Sequence, residues 1–588
     1  MIVCKYVRHT HIGTFGAALK RDNWITEECA VVQDKSKEAV LVVQNPTAKA
    51  YGGEKSQLAK RPDTLDGKVV GLLWNGKPNG DVALKCVGEQ IRARFRNVEI
   101  RFYSGTIRFE PELLKKAATE CDVAVTSNAD CGACTSWLIH DSISLERAGV
   151  PAITIVSKGF EVDTEATAAA FDLPDIEYAL VPRVYQALTT EQALAQTEAV
   201  IDEIIACLTN QKQSGEGSAL PEYQGESLEF KGPDILAALE NFNHCFVEQE
   251  WGDGYPLLPP TASRVGELLA ELERDPHELI CLLNPGMGHA TVEAVATNCA
   301  MAGCSADEMR VVVAALRAIS KTPPPLDKSV LMSTGAFAPL LLVSGPVAER
   351  LRVNGGRCCL GPGRANSVNL RIGRAVTLCL KNLGRWIPGV MDLDTIGTPR
   401  KFNLCLAENM EESPWESYHV SQGFRPDDST VTVFHTTGEW DYDIHGFRDP
   451  AHLLKKIALK VPHQPQVGYW TQILGHLRGD EDQRLILIPP DHARALADGG
   501  YSKDEAQKVL HQYIRISLDE MVETSIMNRD RIRAEWQWVF DMGEQERKHQ
   551  YSVPALLDHT CVRLVVAGSH TPKALAFGVM TAPITEQI

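Results

Sequence analysis

The sequence predicts an α/β fold class with two differently organised parts. The first is a flavodoxin- or Rossmann-like parallel sheet with helices on both faces, and the second is larger and mixed α/β. Three observations carry this: strand-like and helix-like runs alternate from about Asp66 to Asn210, a polar stretch follows, and the remaining runs do not alternate.

Taken in order, residues 1–43 read as an irregular N-terminal extension and 44–209 as the first domain. "KVVGLLWN" is strand-like and "DVALKCVGEQIRARF" helical; "NVEIRFY" and "EPELLKKAATE" repeat the pair. "CDVAVTS" begins a third strand, "TSWLIHDSISLERAG" a helix and "VPAITIVS" a fourth strand. A helical stretch near "TEATAAAFD", the short "EYALVP" and "TEQALAQTEAVIDEIIACLT" complete the series. Parallel strands need such crossovers, and the crossover helices cover the sheet. The polar, Gly- and Ser-containing stretch from Asn210 to Ser227 reads as a linker spanning 210–228. Residues 229–588 then mix strand-like "STVTVFHT", "RLILIPP" and "CVRLVVAGS" with helical "ADEMRVVVAALRAIS" and "SKDEAQKVLHQYI".

At 588 residues the chain is long enough for two cores. With 59 Lys+Arg against 76 Asp+Glu the formal charge is −17, and no basic stripe offsets it, so no nucleic-acid partner is expected. The most apolar run, "APLLLVSGPVA", falls short of the roughly 18 residues that suggest a membrane span, so no membrane association is expected either. The first residues lack a secretion-signal pattern, and 16 scattered cysteines do not form a compact disulfide framework. A cytoplasmic location with reduced cysteines is the expectation, and a homodimer the base-rate assembly.

The stretch "SNADCGACTSWLIHD", Ser127 to Asp141, places Cys131 and Cys134 between a strand and a helix. Ligands bind at the carboxyl edge of such sheets, at a topological switch point. With strand order 2-1-3-4-5 the loops carrying Lys77 and Asn79, the cysteine pair and Lys158 are neighbours, and a cationic pocket around the thiols follows. Helix N-terminal amides and nearby cations favour thiolate, the reactive form, and lower thiol pKa values from roughly 8.5 to roughly 3.5–7.5. Asp130 opposes this if it points inward, unless it caps the helix. His140 lies six residues beyond Cys134, displaced from its helix face and roughly 9 Å along the axis, so a Cys-His dyad requires a distorted helix. A structural zinc site is disfavoured because the four ligands it requires are not evident, and no metal site is expected. Packing of two small residues in a tight junction is the bland alternative.

The segment "ADCGACTSWLIHDSISLERAGVPAITIVSKGF" resembles the UGSC family, over about Gln44 to Thr209. The family is named for a motif in which selenocysteine, or cysteine in many members, precedes Gly-Ser-Cys. The resemblance puts Cys131 at the selenocysteine position and Cys134 at the second cysteine, while Ala133 stands where the family has serine. It implies that Cys131 is the attacking atom and Cys134 a resolving thiol. Further stretches, "GDGYPLLPPT", "GHATVEAVATNCAMAGC" and "GGRCCLGPGRANSVNLRIGRAV", resemble an uncharacterised domain associated with UGSC proteins, covering most of Gly252 to Ser569.

In that second part Arg364, Arg371 and Arg374 cluster near a helix start beside Asn366. This suggests capture of a carboxylate or phosphate; structural salt bridging is an equal alternative. His289 and Glu293 would share a face if their segment is helical, without an evident third metal ligand.

The expectation is a thiol-dependent lyase, transferase or oxidoreductase acting on a small anionic molecule through carbon–sulfur bond formation or cleavage, or reductive displacement. Cys131 would be the nucleophile and Cys134 the resolving thiol, with Lys158, His140 or Lys77 assisting, and Lys77, Asn79, Arg364, Asn366, Arg371 and Arg374 as substrate-binding candidates. No cofactor is called for beyond a thiol reductant. The alternatives are a dithiol–disulfide oxidoreductase and a non-catalytic ligand- or metal-binding regulator.

Overall fold

The computed structural model describes residues 38–51, 57–105, 109–171, 173–210, 225–323, 330–461, 482–523, 534–550, 552–570 and 573–588. Within the first part lie strands β2 (Val69–Trp74), β3 (Glu99–Ser104), β4 (Val123–Ala129), β5 (Ala152–Ser157) and β6 (Tyr178–Val181). They form one parallel sheet in the order β3-β2-β4-β5-β6, the 2-1-3-4-5 arrangement that meets the condition for neighbouring loops. The central strands β4 and β5 are buried along their whole length because both faces of the sheet are covered, and their polar residues fall toward the carboxyl ends. Helices α1 (Gly80–Arg94), α5 (Thr190–Ala199) and α6 (Ile201–Thr209) bury Leu84, Val87 and Ile204 against Leu72, Val125 and Ile155. On the opposite face α2 (Pro111–Glu120), α3 (Gly132–Arg147) and α4 (Glu161–Ala170) bury Leu138, Ile139 and Ala168 against Leu73, Ala124 and Val156.

A buried ion cluster fixes the far end of α3. Arg61 donates to both carboxylate oxygens of Glu146 at 2.8 Å and to Glu177 at 3.4 Å. Glu146 also accepts the Ala59 and Ala152 amides at 2.7 Å, so α3, β5 and the chain entering the sheet meet at one carboxylate.

The chain on either side of this sheet differs from the sequence expectation. Strand β1 (Ala39–Gln44) pairs antiparallel with β7 (Ser227–Gly232), from Ala39 opposite Gly232 to Gln44 opposite Ser227. The extension read as irregular therefore ends in a strand, and the linker read over 210–228 runs into one; 1–37 and 211–224 lie outside the described residues. The physical reason is period-two burial: Leu41 and Val43 point inward against Phe242 and Phe246. The five-stranded sheet is thus inserted between two strands that belong to the core of the second part.

That core contains α7 (Ile235–Glu248), α8 (Ala262–Leu272), the hairpin β8 (Leu279–Leu283) and β9 (Gly288–Thr291), α9 (Val292–Ala302) and α10 (Ala306–Ser320). Beside them runs a mixed sheet in the order β11-β10-β12-β17-β13-β16, with β18 also on β12. Its strands are β10 (Ala338–Ser344), β11 (Cys405–Ala407), β12 (Thr430–Asp443), β13 (Gln483–Ile488), β16 (Val562–Val566), β17 (Lys573–Val579) and β18 (Ile584–Gln587); β14 (Arg515–Ser517) and β15 (Ser552–Pro554) pair separately. No described helix is long and apolar enough to cross a membrane.

Replacing Arg61 with Met leaves Glu146 and Glu177 without their buried cation. The expected loss is about 3–5 kcal/mol, read from the urea unfolding midpoint; an unchanged midpoint contradicts the assigned role.

Candidate functional site

The site is assembled where β2 and β4 end side by side. Asn75, just past β2, accepts the Asn128 amide at 3.2 Å and donates from Nδ2 to the Asn128 carbonyl at 3.1 Å. This reciprocal clamp fixes the two strand ends and places Lys77 opposite the turn formed by Asp130 and Cys131. Cys131 is the N-cap of α3, with extended backbone and a sulfur that does not cap the helix.

Lys77 is 3% exposed, pairs with Asp130, and stands 3.2 Å from the Cys131 sulfur. The sulfurs of Cys131 and Cys134 are 2.6 Å apart, and both cysteines are free thiols. The hydrogen bond from Cys134, aided by the Lys77 charge and opposed by burial and Asp130, brings the Cys131 pKa down to about 6. Cys134 moves the other way: its hydrogen bond to Cys131, together with burial, pushes it well above a free thiol. Burial alone would lower Lys77, but the charges of Cys131, Cys134 and Asp130 outweigh it and hold the ammonium protonated. The two shifts run in opposite directions, and together they favour a thiolate at Cys131 with Cys134 as its donor.

Asp130 is 2% exposed and faces inward, where its second oxygen accepts from Asn128 Nδ2 at 2.9 Å. It is the counterion of Lys77 rather than a helix cap.

Loops of the second part pack against the first turns of α3 beside the pair. A Cβ at Gly132 would collide with the Met332 carbonyl oxygen and come within 2.9 Å of Leu393, so the glycine permits a close approach that alanine does not. Ser136 donates to the Met332 sulfur at 3.6 Å, and the two loops are tied by the Thr395 amide donating to Thr334 at 3.1 Å. Met332 is fully buried and Cys131 only half-buried.

One residue here escaped the sequence reading. Asp163, in the first turn of α4, is fully buried, and neither carboxylate oxygen has a hydrogen-bond partner among the described residues. Burial pushes its carboxyl well above the ordinary range, and the charge on Cys131 adds to the shift.

Residues 42–210 match the UGSC family. Cys131, Cys134, Lys77 and Asp163 all lie inside the UGSC segment, whereas Met332 and Leu393 lie outside it. The chain matches no curated protein.

Several expected site residues are elsewhere. Lys158 is exposed and has no described contact with either sulfur. His140 is two turns along α3, edge-on to Phe171 at 4.6 Å and 3.6 Å from Asp141, away from both thiols. Asn79 caps α1 in the left-handed region and donates to the Tyr185 and Leu188 carbonyls, so it pins loops together. Arg371 makes a bidentate pair with Glu308, and Arg374 with Asp253; these are the structural salt bridges weighed as the alternative. Asn366 bonds the Cys358 and Gly361 carbonyls and Asn354, while Arg364 is exposed. His289 is on β9 and Glu293 on α9, not on one helix face, and no metal-ligand cluster occurs among the described residues.

Lys77→Met removes the cation that favours the thiolate and leaves Asp130 beside it. The pH midpoint for alkylation of Cys131 by iodoacetamide is expected to rise from about 6 toward or beyond that of a free thiol. A midpoint unmoved in a folded variant contradicts the Lys77 assignment.

Proposed function

We propose that this protein is a thiol-dependent enzyme in which Cys131 attacks a small electrophile and Cys134 resolves the adduct. The observation that carries this reading is the buried Lys77 ammonium 3.2 Å from the Cys131 sulfur, with the Cys134 sulfur 2.6 Å from the same atom. A pair packed only for bulk gains nothing from a desolvated lysine and carboxylate at the same sulfur, since burying those charges costs free energy. The Cys-Gly-x-Cys position within the UGSC segment supports the same atoms.

The step that uses both sulfurs is reductive displacement. The Cys131 thiolate forms a bond to carbon as a leaving group departs with its electron pair. Cys134, once deprotonated, attacks the Cys131 sulfur; the disulfide forms, the sulfur–carbon bond breaks, and carbon keeps the pair and takes a proton. The substrate gains two electrons and the dithiol loses two, so an external thiol reductant restores the pair. Stopping at the first adduct, and reversing it, gives carbon–sulfur bond formation and cleavage. A reducing, cytoplasmic compartment suits this chemistry. Simple dithiol–disulfide exchange is the second reading, favoured by the proximity of the two sulfurs.

An α-bromoketone tests this. The wild type is expected to release the methyl ketone and acquire a Cys131–Cys134 disulfide, while Cys134→Ser retains the ketone on Cys131 by peptide mass spectrometry. Modification of Cys134 first, or no selectivity for Cys131, contradicts the assignment.

A further inference from the structure

We propose that Asp163 is the proton donor of this site and that the electrophile it serves is uncharged. The inference rests on Cys131 being the attacking thiolate and specifies what the reaction does with charge.

The placement of Asp163 follows from how α3 and α4 pair. Both helices follow strands of a parallel sheet and lie on the same face, so they run in the same direction. Ser136 on α3 and Thr167 on α4 are joined by a 3.0 Å hydrogen bond. One turn earlier on each helix are Gly132 and Asp163, which puts the carboxyl beside the turn that bears Cys131. Thr164, Thr167 and Ala168 share its buried face.

A buried carboxyl with no partner costs stability. Nothing described around Asp163 compensates it: Lys77 is engaged by Asp130 and Cys131. Burial favours the protonated form of this carboxyl, which lies one turn before the Ser136–Thr167 contact, on the same level as the turn that bears Cys131. The relation is also self-timing. While Cys131 is anionic it opposes ionisation of Asp163; once the sulfur becomes a neutral thioether that opposition ends, and the proton is released more readily.

The charge inventory sets the substrate class. Two anions, the Cys131 thiolate and Asp130, face one buried cation, Lys77. Lys158 is exposed, and Arg371 and Arg374 are committed to Glu308 and Asp253. An anionic substrate would enter an excess of negative charge without a free cation among these residues. An uncharged activated alkene or carbonyl compound avoids this. The thiolate bonds to the electrophilic carbon, the π electrons move to the adjacent atom, and that atom takes the Asp163 proton. The product is an uncharged adduct on Cys131, and its reversal returns the proton to Asp163 and the bonding pair to the sulfur.

Two uncharged reagents separate proton donation from nucleophilicity. Iodoacetamide alkylates with iodide leaving unprotonated, whereas acrylamide addition needs a proton at carbon. At neutral pH, Asp163→Asn and Asp163→Ser are expected to slow acrylamide addition to Cys131 by about tenfold or more while iodoacetamide reacts at the wild-type rate. Acrylamide and iodoacetamide rates that fall together, or not at all, overturn the proton-donor role. The preference for acrylamide over acrylate is expected to exceed that of free cysteine; a smaller preference overturns the uncharged class. Iodoacetamide reacting with Cys131 no faster than with free cysteine overturns instead the thiolate reading beneath both.

Discussion

A buried ammonium next to a half-buried thiolate is the interaction on which the rest of the site depends. At an effective dielectric of about 20, unit charges 4 Å apart attract by about 4 kcal/mol, while burying each ion costs several kcal/mol. The balance is close, so small features decide it. Cys134 contributes a hydrogen bond to the thiolate, Asp130 opposes it, and the net result is a thiol moved down to about 6 rather than further. The fold is arranged around that balance: the order β3-β2-β4 brings the loop with Lys77 against the turn with Cys131, and the Asn75–Asn128 clamp fixes their separation.

The second part completes the site. Because the parallel sheet is inserted between β1 and β7, both of its ends are anchored in the neighbouring core. That anchorage lets Met332 and Leu393 rest on Gly132 without depending on a single flexible tether. Burial of Lys77, Asp130 and Asp163 strengthens the charge interactions among the groups of the site.

Much of the first sheet was legible, since alternation of strand and helix has few topological solutions and a Cys-x-x-Cys at a strand end falls on the edge where ligands bind. Lys77 was found for the same reason. Asp163 was not, because "GFEVDTEATAAAF" reads as an ordinary acidic first turn. The usable signal was its register: Asp163, Thr164, Thr167 and Ala168 form one face, and a carboxylate on a face of small residues is out of place. The arginines misled because the spacing of Arg371 and Arg374 is visible in sequence, whereas their partners Glu308 and Asp253 are far away in the chain. The β1–β7 pair is likewise nonlocal, and a single short strand offers little pattern by itself.

The central claim is that Cys131 is ionised at neutral pH. Titrating the ultraviolet thiolate absorbance of the wild type against Cys131→Ser tests it most directly. The expected difference signal appears with a midpoint of about 6. A midpoint at or above the value of an ordinary free thiol, about 8.5, would contradict it.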